Sequence, residues 1–247
     1  MISTNTRKTV TKKLLAEAPV IFMGFDLLEI NAQDLRAEPL SERRRQLLQL
    51  LTPGALDEFP SCRAQLNTVL KVSQLAGGSS WNDLAQLRTN SRLLKVEGLM
   101  LKRADSKYGV GRRKGDWWKW KIDPYSVDAV LIAAQKGHGK RASLYTDYTF
   151  GLWRDNQLVS IAKAYSGLTD AEIKEVDAFI RKNTLEKFGP VRTVKPELVF
   201  EIAFEGIQAS PRHKSGVAVR FPRILRWRTD KEIADADTVD RLTALLG

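Results

Sequence analysis

Glu197–Glu205 reads ELVFEIAFE. Leu198, Phe200, Ile202 and Phe204 are apolar at every second position, with Glu197, Glu201 and Glu205 interleaved. A period of two sends alternate side chains to opposite faces, which predicts a half-buried strand. Working outward, Val127–Ala134, Thr146–Trp153, Gln157–Ala164 and Val217–Trp227 also read as strands separated by turn residues. Thr169 and Glu172 have the spacing of a capping box, so a helix follows to about Lys182. Asp237–Leu246 reads as a closing helix. Several short strands with one internal helix suit a small β-barrel.

The first half has another texture. Arg7–Glu17 reads as a short basic helix ended by Pro19. Val20–Leu28, VIFMGFDLL, reads as a buried strand, and Ser41 as the N-cap of a helix over Glu42–Leu51. Val69–Leu75 reads as a strand, and Ser80 as the cap of a helix over Trp81–Leu87. Val96–Lys102 and Asp116–Ile122 read as further strands. Asp123-Pro124 separates two strand systems, and a residue before proline is pushed away from helix. The expected organisation is α+β, with domains over 1–124 and 125–247.

Composition narrows the function. The 247 residues carry a net charge of +11, most of it in residues 1–125, and excess positive charge attracts polyanions, nucleic acid first among them. No apolar run reaches the roughly 18 residues of a membrane span. Cys62 is the only cysteine, which excludes a disulfide framework and fits a reducing, cytoplasmic setting. His138 and His213 are the only histidines, too few for a histidine metal centre.

Lys102–Lys121, KRADSKYGVGRRKGDWWKWK, holds eight basic residues and four aromatics. Basic side chains bind phosphate, and aromatics stack on bases or anchor the loop. Lys119 and Lys121 stand two apart in a strand and so share a face, a site for one phosphate group. Arg112, Arg113 and Lys114 are the loop's candidates for DNA backbone contact. In VEGLMLKR (96–103), Glu97 stands in an apolar strand, where a carboxylate needs a partner: a neighbouring lysine or a metal. Arg220–Lys231, RFPRILRWRTDK, is dense in cations. Arg223 and Arg226 suit a nucleic-acid backbone, or an edge strand protected by charge.

The order of these motifs resembles the ATP-dependent DNA ligases of the covalent nucleotidyltransferase superfamily. Phe22–Leu28 is similar to the family's third motif, Val96–Lys102 to its fourth, Trp117–Lys121 to its fifth and Arg220–Lys231 to its sixth. AKAYSGLT (162–169), FGPVRTV (188–194), FEGIQ (204–208) and RHKSGVAVRFPR (212–223) resemble the oligonucleotide-binding (OB) domain of bacterial ligases. The resemblance implies the later part of a nucleotidyltransferase domain followed by an OB-fold barrel. It implies ATP and magnesium as cofactors and nicked duplex DNA as partner, in replication, repair and recombination. Phe25 would stack on adenine, and Glu97 would help hold the metal or the adenylate. Lys119 and Lys121 would neutralise the α-phosphate. Arg228 and Lys231, oriented by Asp230, would meet the pyrophosphate.

The early part of the family pattern is missing: the nucleophile motif and the arginine and glutamate motifs that normally follow it. The family's nucleophile is the lysine of Lys-x-Asp-Gly, and no such motif occurs in these residues. The resemblance therefore implies the C-terminal part of a catalytic core, partnered by an upstream ligase segment that supplies the lysine. Two alternatives stand beside it: a non-catalytic DNA-binding OB module, and a truncated gene product.

Overall fold

The computed structural model describes residues 9–17, 19–51, 68–94 and 96–246. The chain divides into two compact units, Met1–Ile122 and Asp123–Gly247. In the first the described elements are α1 (Lys12–Glu17), β1 (Phe22–Gly24), β2 (Glu29–Ile30), β3 (Gln33–Asp34), α2 (Leu40–Leu50), β4 (Leu70–Val72), α3 (Trp81–Thr89), β5 (Gly98–Lys102) and β6 (Trp117–Lys121). They pair only two by two: β1 with β4 in parallel, β2 with β3 and β5 with β6 antiparallel. Arg7 and Lys8 of the expected first helix, and Cys62, lie outside the described residues.

Two expectations for this unit change. Val20–Leu28 is not a buried strand: β1 covers three residues, with Phe22 68% and Met23 48% exposed. Among the described residues β4 is its one strand partner, which pairs with the backbone and leaves the side chains open to water. Helix α2 begins at Leu40, and Ser41 does not cap it. The backbone N–H groups of Leu40 and Ser41 donate instead to the carbonyls of Ser106 and Ala104, at 2.9 Å each. The orphan donors of the first turn are thus met by a loop, and no side-chain cap is needed. By contrast, Ser80 does cap α3 in a full capping box with Asp83.

In the second unit follow β7 (Tyr125–Lys136), β8 (Tyr145–Arg154), β9 (Gln157–Ala164), α4 (Asp170–Lys182), β10 (Thr184–Phe188), β11 (Val191–Val194), β12 (Val199–Phe204), β13 (Gly206–Ala209), β14 (Val217–Arg220), β15 (Arg223–Trp227) and α5 (Val239–Thr243). Long β7 is the shared strand. Its first half pairs with β12, its second half with β11, and its other edge with β8, which pairs in turn with β9. Register shifts in β7, β8 and β12 bend this antiparallel sheet around one core. Phe150, Phe200, Ile202, Phe204, Val176 and Ile180 meet there, all at most 1% exposed. Helix α4 closes it, capped by Thr169 and Glu172 as the spacing predicts.

ELVFEIAFE becomes β12, with a difference. Val199 and Ala203 are also buried, and Glu201 alone of the strand's side chains is half-buried. Val199 packs into a second small cluster with Val130 and Ala236, so both faces of the strand are covered. The expected strand Val217–Trp227 is two strands. Pro222 offers no N–H, and Phe221 sits in the left-handed region at φ 52°, so the chain breaks between β14 and β15. Gly167 of AKAYSGLT explains part of that motif: at φ 117°, a Cβ would lie 1.8 Å from the Ile224 carbonyl oxygen.

Candidate nucleotide and DNA site

The β5–β6 hairpin builds the first set of functional side chains. Its register places Gly98 opposite Lys121, Met100 opposite Lys119 and Lys102 opposite Trp117. Residues directly opposite share a face, so Lys102, Lys119 and Lys121 stand in one row. Gly98 lets the strands meet. At φ 140° it faces Trp120, whose carbonyl oxygen would be 2.3 Å from an added Cβ. The other face carries Trp118 and Trp120. Trp120 receives the edge of Trp81 at 5.9 Å and the Arg88 guanidinium at 5.3 Å. Trp120 therefore anchors the hairpin to α3, while Trp118 is 46% exposed.

Lys102 was not among the residues expected to bind. Its ammonium lies 4.3 Å from the Phe25 ring centre and 4.0 Å from that of Trp117. Desolvation lowers its pKa below the usual lysine range, while Asp26 opposes the shift. Two rings flanking one ammonium are worth about 0.5–2 kcal/mol each. This contact holds Phe25 beside the lysine row. The hairpin pairing, once assigned, is the signal that finds Lys102.

Phe25 is half-exposed and lines an apolar hollow of about 360 Å³ with Phe22, Met23, Leu47, Leu50 and Leu70. The neighbouring Asp26 is fixed by a buried fork. Arg43 Nε and Nη2 donate to its two carboxylate oxygens at 2.8 and 2.9 Å, with both side chains almost fully buried. Arg43 also donates to the carbonyls of Glu38 and Ser106. Sequence reasoning missed Arg43, one of three consecutive arginines with no local mark to distinguish it.

Glu97 corrects an expectation. It lies just before β5, its side chain is 44% exposed, and Lys121 Nζ sits 2.8 Å from its carboxylate. The neighbouring-strand lysine is its partner, and the end of the strand leaves it open to water. Among the described residues no three His, Cys, Asp or Glu side chains gather as a metal site. Arg112, Arg113 and Lys114 are all exposed on the loop between the strands. Arg223 and Arg226, by contrast, are paired within the second unit: Arg223 with Glu205 at 2.8 Å and Arg226 with Glu201 at 2.7 Å.

The second set lies just past β15. Arg228 donates through Nε and Nη2 to Asp230 at 2.9 and 2.7 Å, and through Nη1 to both oxygens of Asp128 at 3.0 Å. Lys231 Nζ donates to Asp128 at 2.7 Å. The Arg228 fork pulls the Asp230 pKa well below the carboxylate range, and the carboxylates raise that of Arg228. Asp128 was missed as well. An Asp inside the apolar run of β7 was its signal.

Residues 1–121 match the family model for the ATP dependent DNA ligase domain, and residues 141–231 that for the ATP dependent DNA ligase C terminal region. The chain belongs to the ATP-dependent DNA ligase family. A probable DNA ligase of Koribacter versatilis is 41% identical over 95% of this chain, and one of Opitutus terrae 40% identical over 91%. The chain spans 42% and 24% of those two ligases. A solved Lig E DNA ligase shares the fold at 21% identity, with a TM-score of 0.54 over 84% of this chain and 63% of that one. The α+β architecture is therefore that of ligase domains, and the family implies ATP and a divalent metal. No helix among the described residues is long and apolar enough to cross a membrane.

Proposed function

We propose that these residues supply the phosphate-binding part of an ATP-dependent DNA-joining reaction on nicked duplex DNA. The observation that carries this is the row Lys102, Lys119 and Lys121 beside Phe25. An aromatic face suits the adenine base, and Lys119 and Lys121 suit the α-phosphate. In phosphoryl transfer the protein's main task is to place positive charge where the transferring oxygens develop negative charge. Magnesium keeps several waters and takes much of its shell from phosphate oxygens, so one exposed carboxylate suits it. Glu97 is the residue that would hold it, and the metal would supply charge neutralisation. Arg228 and Lys231 would meet the pyrophosphate, and Arg112, Arg113 and Lys114 the DNA backbone.

The nucleophile would come from elsewhere. With no Lys-x-Asp-Gly in these residues, an upstream ligase segment is the proposed partner for lysine adenylation. Titration of the 247-residue chain with ATP tests the phosphate assignment. Lys119→Met with Lys121→Met should weaken ATP binding at least 10-fold with the circular dichroism unchanged. Equal affinity in the double variant would contradict the assignment.

A further inference from the structure

The cluster past β15 holds two cations, Arg228 and Lys231, against two carboxylates, Asp128 and Asp230. Both edges of the Arg228 guanidinium are occupied, and its side chain is 13% exposed. Lys231 is 27% exposed and gives one of its three donors to Asp128. Formally the cluster is neutral. An anion that forks Arg228 must therefore displace a carboxylate, whereas Lys231 keeps two donors beside its bond to Asp128.

The two carboxylates are held differently. Asp128 is 12% exposed, and Asp237 clamps its backbone on both sides: the Asp128 N–H donates to the Asp237 carboxylate at 2.9 Å, and the Asp237 N–H to the Asp128 carbonyl at 2.8 Å. Asp230 is 64% exposed and touches Arg228 at the edge a phosphate would fork. Displacement costs a phosphodiester, with its single negative charge, more of its own attraction than it costs a ligand with three or four charges on adjacent phosphates. A row of charges continues across the sheet, because Asp128, Glu201 and Arg226 face one another in register and Glu201 holds Arg226.

We propose that Asp128 and Asp230 are specificity-determining residues: together they occupy both phosphate-binding edges of Arg228, and Asp128 also holds Lys231, so that a terminal polyphosphate can displace them and a DNA phosphodiester cannot. This rests on the reading that Arg228 and Lys231 meet a polyphosphate. It gives the basic second unit a way to keep one cation pair off the DNA backbone.

The test measures two ligands on the 247-residue chain: inorganic pyrophosphate by calorimetry, and duplex DNA across a salt series. Asp128→Asn and Asp230→Asn should each tighten pyrophosphate binding several-fold. Each should also steepen the salt dependence of DNA binding by about one phosphate contact, roughly 0.9 in the log–log slope, as a cation becomes available to phosphodiester. A purely structural role for the carboxylates would weaken both ligands instead. Unchanged or weaker pyrophosphate binding with an unchanged slope in both variants overturns the inference. Asp230→Asn carries the test if Asp128→Asn fails to fold, because Asp230 is exposed. Lys231→Met separates the two levels: if it leaves pyrophosphate affinity at the wild-type value, the polyphosphate reading falls and the inference with it.

Discussion

The two units are held together by different means. In Asp123–Gly247 one bent sheet encloses an apolar core, and its ion pairs range from partly exposed, as at Arg226 and Glu201, to largely buried, as at Arg228 and Asp128. In Met1–Ile122 the described sheets have two strands each, and large apolar side chains such as Phe22 and Leu75 face water. The most buried large side chain described there is an arginine, Arg43. It links Asp26, just past β1, to α2 and to the loop after β5. The difference teaches that position within a unit can be fixed either by apolar area or by a saturated ion pair. The second way fails more abruptly, because removing one partner strands a buried charge.

The largest effects should break this comparison open. Arg43→Met should cost about 3–5 kcal/mol and act on the first unit alone, since it leaves Asp26 unpaired. Replacing the pair together, Arg43→Met with Asp26→Leu, should recover part of that loss. Phe200→Ala should cost about 3–5 kcal/mol in the second unit. Hydrogen exchange followed by proteolytic mapping assigns each loss to its unit. Loss of protection in both units from either substitution would contradict their independence. We also expect limited proteolysis to leave a resistant fragment beginning near Tyr125, because two-stranded sheets are marginal alone. A resistant first unit beside a degraded second would reverse that expectation.

A middle-sized effect concerns DNA. Alanine at Arg112, Arg113 and Lys114 should weaken duplex binding about 10-fold or more at low salt, alike for all sequences, and flatten the salt slope. Alanine at Arg223 and Arg226 should do less, because Glu205 and Glu201 already hold those guanidiniums. The reverse order would mean that ion pairing does not decide which arginines reach DNA. The smallest effect should be that of Glu97→Gln on stability, under about 1 kcal/mol by thermal unfolding, since its pair with Lys121 is half exposed. A larger loss would show that Glu97 is more deeply tied than one ion pair.

Much of this was legible in local pattern. The capping box at Thr169 and the cap at Ser80 depend on neighbouring residues alone, and both form, Ser80 with Asp83 completing a box that was not read from the sequence. The shared face of Lys119 and Lys121 follows from strand parity alone. What was hidden needs partners far along the chain. Arg43 meets a residue 17 positions away, and Asp128 meets cations 100 and 103 positions away. Local irregularity hid the rest. The break at Phe221 and Pro222 cuts one expected strand into two with different neighbours. Ser41 carried a good cap signal, and a loop's carbonyls overrode it.

The central claim is that these residues bind and neutralise phosphate yet supply no nucleophile of their own. Intact-mass measurement of the 247-residue chain after incubation with ATP and magnesium tests it most directly. The account predicts an unchanged mass. A gain of one AMP moiety on any lysine would contradict it.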